Sequence, residues 1–316
     1  MNYPKNMLEF IDSFHTENQC LEYLEALKWG WVCPKCGNTK HWRMTGRKSL
    51  VCSGCRAMLS VTAWTVLHRL RIPLRTVFLI AWFMVTSKQG ISAEELSQML
   101  AIDTKTAWLW NHKLRKVMIL DDRKKLSWNV EVDEVFIGWV QEWPRWRWAK
   151  GKAQVVIAVE VNKTTLNKKW LFQWMGRVRI QIIPNCGAKT LTKFIQENIE
   201  LWATLYTDWW KSYSQIESSG YTHIIETKAV SDTEISGIHT EEVTPNVHII
   251  ASLVKRWLLG THQQYLVQDG YLQDYLEEYT FRFNRRKSSD RWKLFKTLLE
   301  QILTHAPTFR NKLKTW

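Results

Sequence analysis

No stretch of this sequence approaches the roughly 18 consecutive apolar residues that a membrane-spanning helix requires. The first residues, MNYPKNMLEFIDSF, lack the apolar core of a secretory signal, so a cytoplasmic protein is the expectation. There is no internal repeat and no long low-complexity linker. Acidic residues are in short supply: 30 Asp and Glu face 44 Lys and Arg, a formal charge of +14. Such an imbalance in a folded chain favours a polyanionic partner such as nucleic acid. An acidic membrane surface is the competing reading. Cysteine is sparse as well, with six residues, but four of them come as close pairs.

What is present is enough apolar material for a sizeable core. The 316 residues are 45% hydrophobic, which suggests two or three structural units. The 20 Trp are read mainly as packing residues, because each buries a large area. Cys20 and Cys186 stand alone and read as small buried hydrophobes.

Residues 9–29 carry apolar side chains at helical spacing and read as a short helical lead-in. Residues 64–84 are strongly apolar with basic punctuation, and Pro73 opens their second part. In residues 90–118, Ser92 and Glu95 form a capping-box pattern ahead of a short helix over Ala93 to Leu100. Ile102-Asp103 is a turn, and Thr104 or Thr106 begins the next helix. This pattern fits a helix-turn-helix and equally fits two packed core helices. From Val130 the period changes to that of strands: VEVDEVFIGWV, AQVVIAVEV, and KKWLFQWMGRVRIQII as a longer strand or hairpin. An amphipathic helix (TLTKFIQENIELWA), a short strand ending in Asp208, another strand over 220–225 and a mostly helical remainder from Pro245 follow. That order implies an α/β core with a mixed sheet. Basic clusters mark its end: Arg285-Arg286-Lys287, then Arg310, Lys312 and Lys314.

Cys33-Pro34-Lys35-Cys36-Gly37 and Cys52-Ser53-Gly54-Cys55-Arg56 are two Cys-x-x-Cys knuckles 15 residues apart. Two such knuckles complete a tetrahedral four-sulfur zinc site, closed and therefore structural. Gly37 and Gly54 supply the tight backbone. The same segment carries Lys35, Lys40, Arg43, Arg47, Lys48 and Arg56, which could touch DNA phosphates or form a solvated basic surface.

Glu131 and Asp133 are two apart on a strand and share a face. A carboxylate on an otherwise apolar strand is costly to bury unless it is paired or holds a metal. Asp208 closes the strand 204–207, where α/β sheets usually place ligands, although on pattern alone it could be a turn or cap residue. Arg145-Trp146-Arg147-Trp148 is a period-2 stripe between the first two strands. Its Trp face could pack on the core or stack on unpaired bases.

Several segments together resemble the zinc-ribbon insertion-sequence transposases of the ISXO-like group. They are Val132–Gly138, Thr207–Tyr213, Gly220–His223, Ser252–Thr261 and Tyr275–Arg286, with the upstream Thr86–Ala93 and Lys105–Trp108. The likeness runs in the same order from about residue 20 to residue 290. It implies a DDE-type catalytic domain with an RNase-H-like fold, preceded by the zinc ribbon and the helix-turn-helix. It implies that Asp133 and Asp208 hold two divalent ions, magnesium or manganese. At the third position most members carry Glu, and some relatives carry Asn or His. Here the residue is His248, which suits zinc or manganese better than magnesium, and a degenerate, inactive copy is the alternative. Glu241 and Glu242 precede the helix and are weaker substitutes.

Lys255 lies seven residues after His248, on the same helical face, where it can neutralise a phosphate. Glu278, Arg282 and Arg285 share a face at i, i+4 and i+7. The resemblance has Glu278 orienting the arginines toward the catalytic helix or the DNA backbone; a surface ion pair is the plainer reading. The division expected is 1–62 for the N-terminal helix and ribbon, 63–125 for the helix-turn-helix region, 126–290 for the catalytic domain and 291–316 for a basic helical tail. The expected activity is binding of terminal inverted repeats and target DNA with two-metal cleavage and joining, by a dimer or higher assembly on DNA. An inactive DNA-binding derivative and a structure-selective nuclease are the alternatives.

Overall fold

The computed structural model describes residues 4–30, 32–44, 48–119, 123–138, 152–161, 175–208, 213, 216, 219–225, 244–262, 270–288 and 290–308. Arg47, the Arg145–Trp148 stripe, Glu241, Glu242, Arg310, Lys312 and Lys314 lie outside these residues. The chain forms two compact units: Met1–Ile119 with Lys287–Trp316, and Leu120–Arg286.

In the first unit the helical lead-in is two helices, α1 (Met7–Ser13) and α2 (Glu17–Trp29). Thr16 breaks the run. Its hydroxyl accepts from the Gln19 N–H while the Gln19 side chain accepts from the Thr16 N–H. This reciprocal cap satisfies two N–H groups that a new helix start would leave open. A three-stranded ribbon follows: β1 (His41–Arg43), β2 (Leu50–Cys52) and β3 (Met58–Leu59), antiparallel throughout. The apolar segment 64–84 becomes helical only at Leu74, after Pro73, as α3 (Leu74–Thr86), since proline fits a helix start and not its interior.

Ser92 caps α4 (Ala93–Leu100), accepting from the Glu95 N–H. Asp103 caps α5 (Thr104–Val117), accepting from the Lys105 and Thr106 N–H groups. Ala101 in the left-handed conformation turns the chain between them.

The last helix, α9 (Arg291–Thr304), belongs to this first unit and is not a separate tail as the sequence-based division has it. Its Phe295 meets Phe10, Phe14, Phe78 and Trp82 at ring-centroid distances of 5.5–5.8 Å, edge-on. All five rings are buried, and edge-to-face contacts add to the stabilisation from their buried area.

The second unit is a five-stranded mixed sheet. β4 (Asn129–Gly138), β5 (Lys152–Val161) and β6 (Val178–Ile183) are antiparallel neighbours. β7 (Thr204–Thr207) pairs parallel with β4, and β8 (Thr222–Ile225) pairs parallel with β7. The order is β6-β5-β4-β7-β8, an RNase-H-like arrangement. Of the long strand expected over residues 168–183, the described part is β6.

α6 (Ala188–Asn198) ends earlier than its amphipathic pattern, because Ile199 pairs with Leu126: the Leu126 N–H donates to the Asn198 carbonyl and the Glu200 N–H to the Leu126 carbonyl. α6 covers one sheet face with Leu191, Phe194 and Ile195, against Val130, Val132, Val156 and Ala158. α7 (Pro245–His262) and α8 (Leu272–Asn284) cover the other, against Val135, Ile137, Val155 and Ile157. β4 is therefore buried on both faces, and each polar side chain it carries needs a partner.

Candidate active site

Three carboxylates lie in a row on β4. Glu131 is fully buried and accepts from the backbone N–H and the Nδ2 of Asn246, at 2.9 and 3.0 Å, fixing the start of α7. Asp133, two residues on, faces the same helix. Its Oδ2 accepts from the Thr244 hydroxyl at 2.9 Å and lies 3.5 Å from His248 Nε2; its Oδ1 accepts from the Glu134 N–H at 2.7 Å. Burial raises the Asp133 carboxyl above its ordinary value, and the charge of Asp208 adds to that rise. The Thr244 hydrogen bond, the Glu134 N–H and His248 oppose it.

Asp208 follows β7 directly and is half-buried. The parallel ladder pairs Glu131 with Tyr206, so Asp133 and Asp208 stand two residues beyond the same rung on neighbouring strands and project to the same face. The sheet and α7 thus bring together Asp133, Asp208 and His248, three residues 75 and 115 positions from the first. Among the described residues they do not converge on a single point as tightly as the cysteines do.

Glu134 is a residue that the reading of the sequence passed over. It points to the opposite face from Asp133, where it accepts from the Tyr213 hydroxyl at 2.6 Å. Burial pushes its carboxyl up to about 7; the Tyr213 hydrogen bond opposes the rise, and the charges of Asp133 and Asp208 add to it. The signal was available in principle, since an acid on the apolar face of a buried strand needs an explanation.

Lys255 is exposed on α7, two turns beyond His248. Its ammonium is held below its usual range by partial desolvation and by the charge of Lys152. Glu278 is fully buried in α8, 3.4 Å from Arg282 Nη1, and the Arg282 guanidinium lies over Trp257 of α7. Arg285 does not join them: it lies 3.9 Å above the Phe281 ring and donates to the Phe281 carbonyl. It caps the end of α8, where the helix no longer keeps i+7 on the i face.

The ribbon is a different kind of site. The sulfurs of Cys33, Cys36, Cys52 and Cys55 all lie within 4.8 Å of one another, with Cys36–Cys52 at 3.5 Å and Cys33–Cys55 at 3.8 Å. A tetrahedral zinc with Zn–S bonds of about 2.3 Å sets its sulfurs roughly 3.8 Å apart, so the donors fit the ion in number, chemistry and spacing. Hydrogen bonds from the Cys55 and Gly54 N–H groups hold the Cys52 thiol down to about 6, which readies a thiolate for a cation. Gly37 has a φ of +72°, the conformation a knuckle turn demands.

Two ribbon cations are committed within the protein. Arg43 makes a bidentate pair with the buried Glu25 of α2 at 2.8 and 3.0 Å, and Lys48 pairs with Glu17 at 3.0 Å. Arg56 stacks on the half-exposed Trp42. Cys20 is buried as expected, and burial raises its thiol to about 12. Cys186 is only partly buried and donates to Gln154.

A four-cysteine ribbon and an RNase-H-like sheet with neighbouring aspartates are the features with which the family comparison agrees. Residues 125–284 match the ISXO2-like transposase domain, and residues 15–58 match the transposase zinc-ribbon domain. The chain belongs to the ISXO2-like transposase family. No curated protein matches it.

Proposed function

We propose that this transposase binds the terminal inverted repeats of its own element and catalyses cleavage and joining of DNA with two divalent ions. The observation that supports this most is that Asp133 and Asp208 each stand two residues beyond the Glu131–Tyr206 rung of two adjacent parallel strands, with His248 beside Asp133. The donors fit magnesium or manganese: two carboxylates supply hard oxygens, and an imidazole tilts the preference toward manganese. Held there, two such ions would supply the chemistry of lowering the pKa of an attacking water or 3′-hydroxyl and neutralising charge on the leaving oxygen.

The protein's own contribution is placement. Thr244 holds Asp133 in one orientation, and Asn246 on Glu131 fixes the start of the helix that carries His248. Lys255 takes a phosphate at the rim of the site. The buried Glu278–Arg282 pair steadies α7 through Trp257, and Arg285 contributes from the end of α8. The ribbon and the exposed start of α5, with Lys105, read the element ends. Holding two ends calls for a dimer or larger assembly, acting on chromosomal DNA in the cytoplasm. Zinc in the ribbon is structural.

The test is a strand-transfer assay on oligonucleotides bearing the terminal repeats that flank the gene, with magnesium and with manganese. Joined product in wild type that disappears in D133A and D208A is the expected result. End-specific binding with no cleavage or joining under either ion would leave a DNA-binding derivative and overturn the enzyme.

A further inference from the structure

The hydrogen-bond ladder between β4 and β7 stops short of the candidate site. Its last pair is Glu131 with Tyr206, and the two aspartates lie two residues further, roughly 7 Å along the strands. On the other side β7 stays anchored: its ladder with β8 runs to Thr207–Ile225, and the Thr207 hydroxyl lies 2.8 Å from His223 Nε2 and 3.0 Å from the Asp208 carbonyl oxygen. Among the described residues, the ladder pairs β7 with β8 up to Thr207 and with β4 up to Tyr206. Among the described residues, one contact that reaches back to β4 at this depth is between side chains. Tyr213, five residues after Asp208 and almost wholly buried, donates its hydroxyl to Glu134 Oε1 at 2.6 Å. Its ring sits in the apolar layer with Val130, Val132 and Leu205, under the face that carries the two aspartates.

We infer that Tyr213 and Glu134 form a clasp that sets the separation of Asp133 and Asp208, and so the affinity of the pair for divalent ions. The inference rests on the proposed function only in taking those two aspartates as ion ligands. Neither clasp residue need touch the ion. Glu134 is bonded to the residue five beyond one ligand and is the immediate neighbour of the other, so the clasp spans both. Outer-shell groups that orient metal ligands change affinity about ten-fold or more when removed, because a two-ion site tolerates little change in ligand spacing.

The experiment is a calorimetric titration of the full-length, zinc-loaded protein with Mn²⁺, without DNA, on wild type, D133A, Y213F, E134A and E134Q, each first shown to melt cooperatively. Y213F removes one oxygen and leaves the ring in its apolar seat, so it keeps the fold. Y213F and E134A are expected to bind Mn²⁺ about ten-fold more weakly. E134Q, whose amide oxygen still accepts the tyrosine hydroxyl, is expected to recover the affinity lost in E134A to within about two-fold. Wild-type affinity in Y213F would overturn the clasp. So would a loss in E134Q as large as in E134A, since Glu134 would then act through its charge, as a ligand. A wild type that binds no Mn²⁺ beyond what D133A binds would instead remove the ion site itself, and the proposed function with it.

Discussion

The ribbon and the proposed acid site would gather cation ligands by opposite means. The four cysteines fall within 23 residues, and two knuckle turns bring their sulfurs within 4.8 Å of each other. Asp133 lies on β4, Asp208 directly after β7 and His248 on α7; Asp133 is held by Thr244, 111 residues away, and its neighbour Glu134 by Tyr213, 79 residues away. A local site depends on its ion for much of its fold. A dispersed site depends on its scaffold and should stand without one. The difference teaches where each can be damaged.

Zinc removal breaks the comparison most forcefully. A chelator, or C33S, should unfold the ribbon, with a loss on the order of 10 kcal/mol of metal-linked stability. Proteolysis between residues 31 and 62 reports it, and the melting transition of the second unit should remain. If that transition vanished as well, the acid site's frame would not be independent. Next in size, D133A and D208A should each lower strand transfer on the order of 10⁴-fold, with circular dichroism and end-DNA binding unchanged.

R43A probes the ribbon's support. It leaves Glu25 buried beside no guanidinium and should cost about 3 kcal/mol, read as a lower denaturation midpoint for the first unit. If R43A instead weakens DNA binding with stability intact, Arg43 contacts DNA and its pair with Glu25 is incidental.

The smallest effect belongs to Glu160, which ties β5 to the segment entering β4. Burial works to raise its carboxyl, but hydrogen bonds from the Arg177 guanidinium and backbone, and from the Ser127 N–H, hold it below the usual carboxylate range. A depressed value means the ionised form is favoured by folding. The contribution is therefore complete above the ordinary carboxylate value and is lost as pH falls through the lower folded value. Acid titration of the second unit's stability should show this loss, and E160Q should abolish that slope at a cost under about 1 kcal/mol at neutral pH.

The same contrast explains what the sequence reveals. The ribbon is legible because spacing within one short segment encodes its geometry. The strands β4, β5 and β7 are legible from their apolar period, and α4 and α5 from the caps Ser92 and Asp103. The partnership of Asp133 with Asp208 comes from resemblance to a family, since neither acid announces the other across 75 residues. Glu25–Arg43 and Glu134–Tyr213 are illegible for the same reason: an acid's need for a partner can be read from an apolar strand or helix, but not the partner's identity. The break at Phe14–Thr16 was hidden by continuous apolar spacing through α1 and α2. The placement of α9 was hidden because an amphipathic stripe states that a helix packs, not on what.

That placement has a consequence for how the protein comes into being. The second unit, 120–286, is one uninterrupted stretch, so the whole of its sequence is available once that stretch has left the ribosome. The ribbon and helix-turn-helix region is made before that stretch yet completed after it, since Phe295 and the rest of α9 follow it in the chain. During synthesis the aromatic pocket of Phe10, Phe14 and Phe78 waits without its lid. A nascent chain therefore has the whole of its second unit before its first is complete, and a premature stop near residue 290 would leave that pocket open to solvent, a target for proteolysis.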